Sequence, residues 1–597
     1  MLRYDIDEKY KWDLEKIYKN LNEFKKDYEE IKKGIEKLCK FNGKICQSAK
    51  SLEEFLKLDE KVERKLEKLY VYASLKSDEN TRETANQELK QEAMNLYSEF
   101  IGKLSFVKSQ ILKEDYKLIE KYLEENENLK NYKNYFKDLF RNKNHILSDK
   151  EEKIIASYNK LGKVPENTYM LFTNADLKFP YVLKGDKKIE ITNANFTHLQ
   201  EDKDRNFRKE VYEKFYSTYK QFQETSASLL NGELINHYTQ AKLRNFESSR
   251  QMALFTNNIS EDVYDNLIDV INDNLDINKG YISLRKEILN LNDLAFYDIY
   301  MPLVSDYNLK YSFEEAKEII LEALKPLGND YINNARRGFE SRWFDVCPNE
   351  GKRSGAYSSG SYDTEPYILL NYNNTLDSLF TTVHELGHSM HSYYTNTSQP
   401  YIYSSYSIFL AEIASTTNEL LLLNYMLDNT ENKKEKAYLL NHYVNSFKST
   451  IFRQAMFAEF EHKANLLVGQ SKPINGQILD EIYKDLNIKY YGKDIKVDEY
   501  ISCEWTRIPH FYMFYYVYQY ATGFSSAVTL SNNILHGSKK DTINYLDFLK
   551  AGNSAYPLEI LKRAGVDMTK KDDLQKAMNI ARVKLDELNN ILKYKTC

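Results

Sequence analysis

Residues that interrupt regular structure are scarce in this chain. Its 597 residues include only 10 prolines and 20 glycines. Because these two residues oppose an α-helix most strongly, their scarcity over such a length favours long helices. The length also exceeds that of one small domain, and a hydrophobic content of 42% is enough to build a large core. The composition therefore predicts a mainly helical globular protein.

Paired cysteines, long apolar runs and an excess of positive charge are also missing. The cysteines are odd in number and form no CxxC pair, which indicates a reducing compartment: Cys39, Cys46, Cys347, Cys503 and Cys597. No apolar run approaches the roughly 18 residues of a membrane span, and the first residues lack the apolar core of a signal peptide. A net charge of −5 provides no basic field for nucleic acid. We therefore expect a cytoplasmic protein that binds neither nucleic acid nor membrane.

Helical periodicity is clearest in the first quarter of the chain. One apolar face recurs at spacings of three and four residues, at Phe24, Tyr28, Ile31, Ile35 and Leu38. Ser51 followed by Glu54 has the spacing of a capping box and predicts the start of a second helix. Residues 87–112 and 114–141 predict two more helices.

A β-hairpin is predicted after these helices. Residues 181–183 and 189–191 have strand-like composition and flank a turn that contains Gly185. Residues near 195–205 are interpreted as a boundary between the N-terminal helices and the rest of the chain. We therefore predict an N-terminal helical region, residues 1–200, followed by a larger region, residues 201–597.

The segment His384-Glu385-Leu386-Gly387-His388 carries the strongest chemical signal. Two histidines four residues apart lie on one face of a helix and can bind a single metal ion. The intervening glutamate then points toward a water on that metal, which is typical of a zinc hydrolase. Composition predicts roughly 0.02 chance occurrences of this pattern. The alternative is an ordinary helix with two solvated or core histidines.

A hydrolytic zinc usually has three protein ligands, so a third is needed. His391 lies on the face of His384, but seven residues of helix rise about 10.5 Å, which is too far to share the ion. Glu412 is the single acid in an apolar helical run, where an unpaired carboxylate is costly to bury, and is the preferred ligand. Glu419, on the same face as Glu412, either orients a ligand histidine or is a surface residue.

Short strands are predicted just before the motif, at residues 343–346, 355–357 and 367–371. A strand beside a metal-binding helix can pair through its free edge with an extended peptide, which makes Gly355, Ala356 and Tyr357 candidate substrate-binding residues. The alternative is a structural hairpin that packs on the helix, and the pattern alone does not separate the two.

Several segments resemble the thimet oligopeptidase and oligoendopeptidase F family of zinc metallopeptidases. The first is the histidine motif, followed 24 residues after its second histidine by Glu-Ile-Ala-Ser at 412–415. The others are Gly-Lys-Arg-Ser-Gly-Ala-Tyr at 351–357 and Arg-Ile-Pro-His-Phe-Tyr at 507–512, which runs into Tyr-Ala-Thr-Gly at 520–523. The resemblance covers roughly residues 350–525.

This resemblance implies a fold and a cofactor. It implies a zincin-like, two-lobed helical metallopeptidase with a small β-sheet next to the motif helix and a deep central channel that admits short unstructured peptides. One Zn²⁺ per chain is expected, held by His384, His388 and Glu412, with Glu385 as the general base. In the family, a histidine and several tyrosines from a C-terminal helix lie over the metal.

These C-terminal positions match this chain in part. His510 matches the family histidine and Tyr515 the first tyrosine, and both are expected to bind the oxyanion or the substrate backbone. Positions 519 and 522 lack the further tyrosines of other branches, so Tyr518 is the preferred replacement, with two alternatives, Tyr512 and Tyr516. Without the resemblance, the same segment predicts a buried aromatic helix.

The leading functional hypothesis is a zinc-dependent endopeptidase that hydrolyses internal bonds of short oligopeptides. A related metallocarboxypeptidase is the alternative, and it would need a cation such as Arg353 or Arg507 to hold the terminal carboxylate. A non-catalytic helical scaffold that binds peptides is a third hypothesis, and it predicts an incomplete ligand set.

Overall fold

The computed structural model describes residues 2–304 and 309–593, apart from the side chain of Asp149. Most of these residues lie in helices, which confirms the mainly helical class. The helices up to residue 304 are α1 (Leu21–Cys39), α2 (Ala49–Glu79), α3 (Thr84–Lys103), α4 (Phe106–Lys113), α5 (Tyr116–Glu125), α6 (Lys133–Arg141), α7 (Asp149–Gly162), α8 (Val164–Leu171), α9 (Phe196–Leu199), α10 (Arg205–Lys220), α11 (Gln223–Leu243), α12 (Ser249–Phe255), α13 (Glu261–Asp273) and α14 (Leu275–Ile288).

The second half of the chain continues the helical pattern. Its helices are α15 (Phe313–Ala323), α16 (Asn329–Glu340), α17 (Leu376–Ser398), α18 (Ile408–Asn429), α19 (Lys433–Ser446), α20 (Arg453–Gly469), α21 (Gly476–Tyr491), α22 (Glu499–Ser502), α23 (Tyr518–His536), α24 (Lys539–Leu549), α25 (Pro557–Arg563) and α26 (Lys571–Lys593). A π-helical turn, Phe447–Phe452, joins α19 to α20.

Within the described ranges, the strands form small sheets. An antiparallel hairpin of β1 (Tyr181–Lys184) and β2 (Lys187–Glu190) lies at the predicted place. The strands β3 (Leu294–Ala295) and β7 (Ile495–Lys496) form a parallel pair. The strands β4 (Phe344–Asp345), β5 (Tyr357–Ser359) and β6 (Tyr367–Leu369) form a sheet in the order β4-β6-β5, with β4 parallel and β5 antiparallel to β6.

The chain folds into two compact units, each built from three stretches of sequence. Unit 1 comprises Met1–Asn144, Asn308–Tyr425 and Leu530–Gly565, and unit 2 comprises His145–Tyr307, Met426–Thr529 and Val566–Cys597. The predicted regions, residues 1–200 and 201–597, were drawn along the sequence, whereas these units are defined by their compactness in space. The division at residue 200 therefore stays a prediction. The central channel likewise stays a prediction.

The first helices illustrate what sequence patterns predict and where they fail. Helix α1 begins after the N-cap Asn20 and buries four members of the predicted apolar face: Phe24, Ile31, Ile35 and Leu38. The predicted capping box at Ser51 is wrong. The N-cap of α2 is Ser48, whose extended backbone lets its side chain accept a hydrogen bond from the Ser51 amide. Ser51 itself lies in the first helical turn and donates its hydroxyl to the carbonyl of Lys44.

The two long helices predicted for residues 87–112 and 114–141 are wrong in length. The first is divided into α3 and α4 at residues 104–105, and short polar side chains delimit the pieces of the second. Asp115 caps α5 by accepting a hydrogen bond from the amide of Lys117. Asn126 ends α5 and caps a 3₁₀ turn by accepting from the amide of Asn128. Such local hydrogen bonds satisfy the backbone without a continuous helix.

The expected location of the protein rests on its helices and its cysteines. None of the helices in residues 2–304 and 309–593 combines the length and apolarity needed to cross a bilayer. Four cysteines are free thiols: Cys39, Cys46, Cys347 and Cys503. Cys597 lies outside the described residues. The reducing, cytoplasmic location stays a prediction.

A buried ion pair fixes the sheet that leads to the motif helix. Lys352 Nζ lies 2.7 Å from Asp345 Oδ1, and the two side chains are 0% and 1% exposed. The same ammonium donates to the backbone carbonyls of Asp345 and Cys347, and Arg3 also contacts Asp345. These contacts attach the loop before β5 to the end of β4.

We expect Asp345→Asn to decrease the free energy of unfolding by about 3–5 kcal/mol, because it leaves Lys352 as a buried charge without its partner. Urea unfolding followed by tryptophan fluorescence would measure this, since Trp12 and Trp343 both lie in unit 1. The matched control is Asp363→Asn, which removes a partly exposed pair with Arg64 and should cost at most about 1 kcal/mol. Equal effects of the two substitutions would contradict this account of the buried pair.

Candidate metal centre

Two neighbouring helices bring the three predicted metal ligands together. Helix α17 provides His384 and His388, and α18 provides Glu412. The two histidine Nε2 atoms lie 3.2 Å apart. Glu412 Oε2 lies 3.5 Å from Nε2 of His384 and 3.7 Å from Nε2 of His388. One nitrogen or oxygen from each side chain therefore occupies a corner of a small triangle.

The size of this triangle fits zinc. Nitrogen and oxygen ligands at about 2.0–2.2 Å from a tetrahedral zinc are about 3.3–3.6 Å from one another. The donor chemistry fits as well, because the two Nε2 atoms face each other at 3.2 Å, and two neutral imidazoles in this arrangement repel through their lone pairs unless a proton or a metal ion lies between them. These three residues are therefore suited to hold a zinc ion and leave its fourth position open.

Glu419 lies about two turns after Glu412 in α18 and accepts a hydrogen bond from Nδ1 of His384. This contact fixes the tautomer in which Nε2 of His384 faces the other ligands. Burial alone would lower the pKa of His384, but the hydrogen bond and charge of Glu419 outweigh it and raise that pKa to about 9. Burial and the neighbouring His384 lower the pKa of His388 to about 3. The carboxylate thus makes His384 the more basic of the two ligands.

Glu385 is only 8% exposed and faces strand β5. The backbone of Ser358 in β5 lies close to its carboxylate and favours the charged form. Burial is the main cause that raises the pKa of Glu385 to about 7. A carboxyl group with that pKa can both accept and return a proton near neutral pH, as a general base requires.

Sequence reasoning missed Ser358 and its partner Ser389. The two hydroxyls lie 2.8 Å apart and tie β5 to α17. Ser389 follows Glu385 by four residues, so both face the same strand, and that spacing was an available signal. The backbone contact of Ser358 gave none, because the main chain is common to all residue types.

Gly387 allows the two ligand helices to approach closely. A Cβ atom at this position would lie 2.5 Å from Cα of Ser415 and 3.0 Å from the carbonyl oxygen of Ala414. Ser415 is one turn from Glu412 and donates its hydroxyl to the carbonyl oxygen of that residue. The crossing of α17 and α18 at Gly387 therefore sets the position of the third ligand.

Glu412 and His391 differ in their exposure to solvent. The Glu412 side chain is 46% exposed, so the expected cost of burying it was wrong as a reason, although the residue lies at the site. The exposure arises because this face of α18 is open to solvent.

His391 is 1% exposed and stacks between the rings of Tyr406 and Phe548, and burial lowers its pKa to about 3. It is a core residue.

The candidate substrate strand is an edge strand within the described residues, since β5 pairs only with β6. The strand begins at Tyr357 rather than at Gly355, because Gly355 has a φ of +82°, which is not extended. Gly355 and Ala356 thus form the turn that enters the strand. The hydroxyl of Tyr357 donates to Asp78 at 2.8 Å, which fixes its side chain.

The residues predicted to lie over the metal belong to unit 2. His510 lies in a 3₁₀ turn, Pro509–Tyr512, and α23 begins only at Tyr518. Both the buried aromatic helix and a common helical origin for these residues are therefore wrong. The reason is Tyr515, whose φ of +46° is incompatible with a right-handed helix and whose amide donates to the buried carboxyl of Glu461 at 2.7 Å.

The tyrosines of this segment face different environments. The hydroxyl of Tyr515 pairs with Nδ1 of His462 at 3.0 Å, and Tyr515 and Tyr518 are each only 2% exposed. Their contact with the oxyanion stays a prediction. His510 is partly exposed, and its Nε2 lies 3.3 Å from the hydroxyl of Tyr520. Tyr520 therefore lies at His510, and the ring of Tyr516 also stacks beside it, with ring centroids 6.2 Å apart.

Two histidines and a glutamate that converge from adjacent helices, with a buried glutamate beside them, define a metallohydrolase of the helical zincin class. The comparisons with known proteins agree. The sequence profile of peptidase family M3 matches residues 198–580, and that of oligopeptidase F matches residues 110–179. The chain belongs to peptidase family M3, a family of metallo-oligopeptidases.

Relatives match along nearly the whole chain. Oligopeptidase PepF of Bacillus subtilis is 42% identical over 99% of this chain and 88% of its own length. An oligoendopeptidase F homolog of Lactococcus lactis is 43% identical over 99% of this chain and 98% of its own length. The crystal structure of oligoendopeptidase-F from Enterococcus faecium is 36% identical, with a TM-score of 0.74 over 96% of this chain and 99% of that chain.

We expect Gly387→Ala to separate α17 from α18, because the new methyl group meets backbone atoms that cannot rotate away. Overpacking of this kind costs about 1–3 kcal/mol, and zinc affinity should fall because Glu412 moves with α18. Gly102→Ala in α3, where nothing lies within 4 Å, is the control and should be neutral or stabilising. Unchanged zinc affinity in Gly387→Ala, measured by competition with a chelating dye, would show that the crossing does not set the ligand geometry.

Substitutions along α18 should reduce zinc affinity in a fixed order. Glu412→Ala removes a ligand and should cause the largest loss, whereas Glu419→Ala removes only the partner of His384 and should cost about 10–100-fold. Asp428→Ala, at an exposed position of the same helix, should leave the affinity unchanged. Calorimetric titration with zinc would measure all three, and wild-type affinity in Glu412→Ala would rule that residue out as a ligand.

Proposed function

We propose that this chain is a zinc-dependent endopeptidase that hydrolyses internal bonds of short, unstructured peptides, with one zinc per chain. The observation that carries the proposal is the triangle of His384, His388 and Glu412 with the buried carboxyl of Glu385 beside it. The printed names of the relatives, oligopeptidase PepF and oligoendopeptidase F, support an oligopeptide substrate.

The catalytic chemistry is divided between the metal and this chain's own residues. Zinc held by the three ligands would supply the Lewis acidity that lowers the pKa of water and polarises a peptide carbonyl. Glu385 removes the proton of the attacking water and delivers it to the leaving amine. Glu385 lies against the Ser358 backbone of β5, and Glu419 holds His384.

Strand β5 is proposed to bind the substrate backbone. Its outer edge lacks a strand partner within the described residues, and an extended peptide that pairs there would run beside Glu385. Main-chain pairing contributes affinity without selecting particular side chains. Gly355 and Ala356 leave space at the entrance, since nothing lies within 4 Å of a Cβ placed on Gly355.

We further propose that His510, with the hydroxyl of Tyr520 at 3.3 Å from its Nε2, binds the developing oxyanion or the adjacent substrate backbone. Tyr515 and Tyr518 were proposed for the same role from the resemblance. The contact between Tyr515 and His462 supports instead a role in shaping the turn that carries His510.

The metallocarboxypeptidase alternative needs a cation that is available to a terminal carboxylate. Both candidates already have carboxylate partners: Arg353 pairs with Asp78 at 3.1 Å, and Arg507 pairs with Glu504 at 2.8 Å. These ion pairs favour the endopeptidase. The non-catalytic scaffold predicts an incomplete ligand set, and the convergence of the three donors argues against it.

Glu385→Gln should retain zinc and lose turnover, because the amide keeps the shape of the side chain but cannot accept the proton. General acid–base catalysis typically contributes about 10²–10⁴-fold, so kcat should fall by at least that range. Metal analysis of the same sample is the control. A variant with full zinc content and substantial activity would contradict the role of Glu385.

The proposed activity is tested with an unstructured peptide of about ten residues that is blocked at both ends. Purified protein should cleave it internally, a zinc chelator should abolish the cleavage, and added zinc should restore it, with mass spectrometry locating the cut. Cleavage only at free C-termini would support the carboxypeptidase instead. Absence of any cleavage by zinc-loaded protein would contradict both.

A further inference from the structure

Unit 2 contains a polar cavity that the proposed peptidase mechanism does not use. Its volume is about 210 Å³, and all the residues that line it belong to unit 2. The wall combines aromatic rings with three charged side chains, Lys448, Arg453 and Glu504. Water occupies about 30 Å³ per molecule in the liquid, so the cavity is large enough for a small ion with several waters.

Lys448 is the feature of this cavity that needs explanation. The residue is 6% exposed, and its ammonium has no carboxylate partner within residues 2–304 and 309–593. The ammonium lies over the ring of Tyr300, 5.5 Å from the ring centroid. Burial and the positive charges of Arg285 and Arg453 lower the pKa of Lys448 well below its usual range. A buried charge without a counter-charge is costly by several kcal/mol.

The charges around Lys448 do not balance. Glu504 already pairs with Arg453 and Arg507, each at 2.8 Å, and also accepts hydrogen bonds from two tyrosine hydroxyls. Among the residues that the structure describes, the hydrogen-bond partners of Arg285 are neutral oxygens: the hydroxyl of Tyr281 and the carbonyls of Asp298 and Met301. The Asp298 carboxylate is held by Arg205 and Arg208. Positive charge is therefore in excess on this side of the cavity.

The local backbone and one polar neighbour point to the same place. Lys448 lies in the π-helical turn Phe447–Phe452, and such turns occur frequently at functional sites. Gln454 donates its amide to the carbonyl of Ser449, but its buried Oε1 has no hydrogen-bond partner. The wall thus presents both a cation that needs an acceptor and an acceptor that needs a donor, and a hydrated anion satisfies both.

We propose that this cavity binds a small inorganic anion, such as chloride or phosphate, together with water, and that the anion is the counter-charge of Lys448. The anion would stabilise the π-helical turn and the helices α19 and α20 that it joins. This site is separate from the proposed peptidase chemistry, so either proposal can fail without the other.

Hydrogen exchange of the full-length protein tests the proposal. Exchange is measured at constant ionic strength in chloride, in phosphate and in the bulky anion gluconate. Peptides that cover residues 440–456 should exchange about tenfold more slowly in chloride or phosphate, at concentrations ten times the Kd, while peptides of unit 1 should not change. Equal exchange in all three anions would overturn the proposal.

Matched variants separate a specific site from a general salt effect. Lys448→Met removes the charge with little change in volume and should abolish the anion dependence, whereas Lys463→Met, at an exposed position of α20, should retain it. Anion dependence that persists in Lys448→Met would overturn the proposal.

A measurement on the wild-type protein tests the proposal without relying on the folding of a variant. Crystals soaked in bromide should show an anomalous peak in the cavity next to Nζ of Lys448. Absence of a peak at that position, in crystals where bromide is located elsewhere, would overturn the proposal.

Discussion

The close crossing of α17 and α18 is the constraint on which the rest of the site depends. A helix alone can place His384 and His388 on one face, but it cannot supply the third ligand. Glu412 reaches them because Gly387 has no side chain, so the backbone at Ser415 lies where a Cβ atom would otherwise be. The same approach brings Glu419 to the far nitrogen of His384. The absence of a Cβ atom at Gly387 thus positions both the ligand Glu412 and Glu419, which orients the ligand His384.

Burial then gives each group near the metal a distinct protonation behaviour. Glu385 has a raised pKa because it is buried against β5, while the carboxylate of Glu419 keeps His384 basic. The sheet that provides Ser358 is itself fixed by the buried pair of Asp345 and Lys352. The general base is therefore positioned through a chain of contacts that runs from the core of unit 1 to the edge strand.

The sequence predicts the parts of this arrangement that depend on local periodicity. The spacing of His384 and His388 specifies their common face. Glu412 stands out as the one acid of an apolar helical run, although its side chain is 46% exposed and not buried as that pattern implies. Features that depend on tertiary packing were not predictable. The backbone contact of Ser358 has no side-chain signature, the left-handed backbone of Tyr515 interrupts an apparently continuous aromatic helix, and the isolation of Lys448 follows from the π-helical turn and from ion pairs with residues far away in sequence. The single helix predicted for residues 114–141 failed for a simpler reason, since Asn126 competes locally for backbone hydrogen bonds.

The central claim is that His384, His388 and Glu412 hold a zinc ion. Diffraction data collected on both sides of the zinc absorption edge, from crystals of protein purified without added chelator, test this most directly. The account predicts one strong anomalous peak per chain, about 2 Å from Nε2 of each histidine and from a carboxylate oxygen of Glu412. A zinc-loaded crystal with its peak at any other position, or with Glu412 outside the coordination sphere, would contradict it.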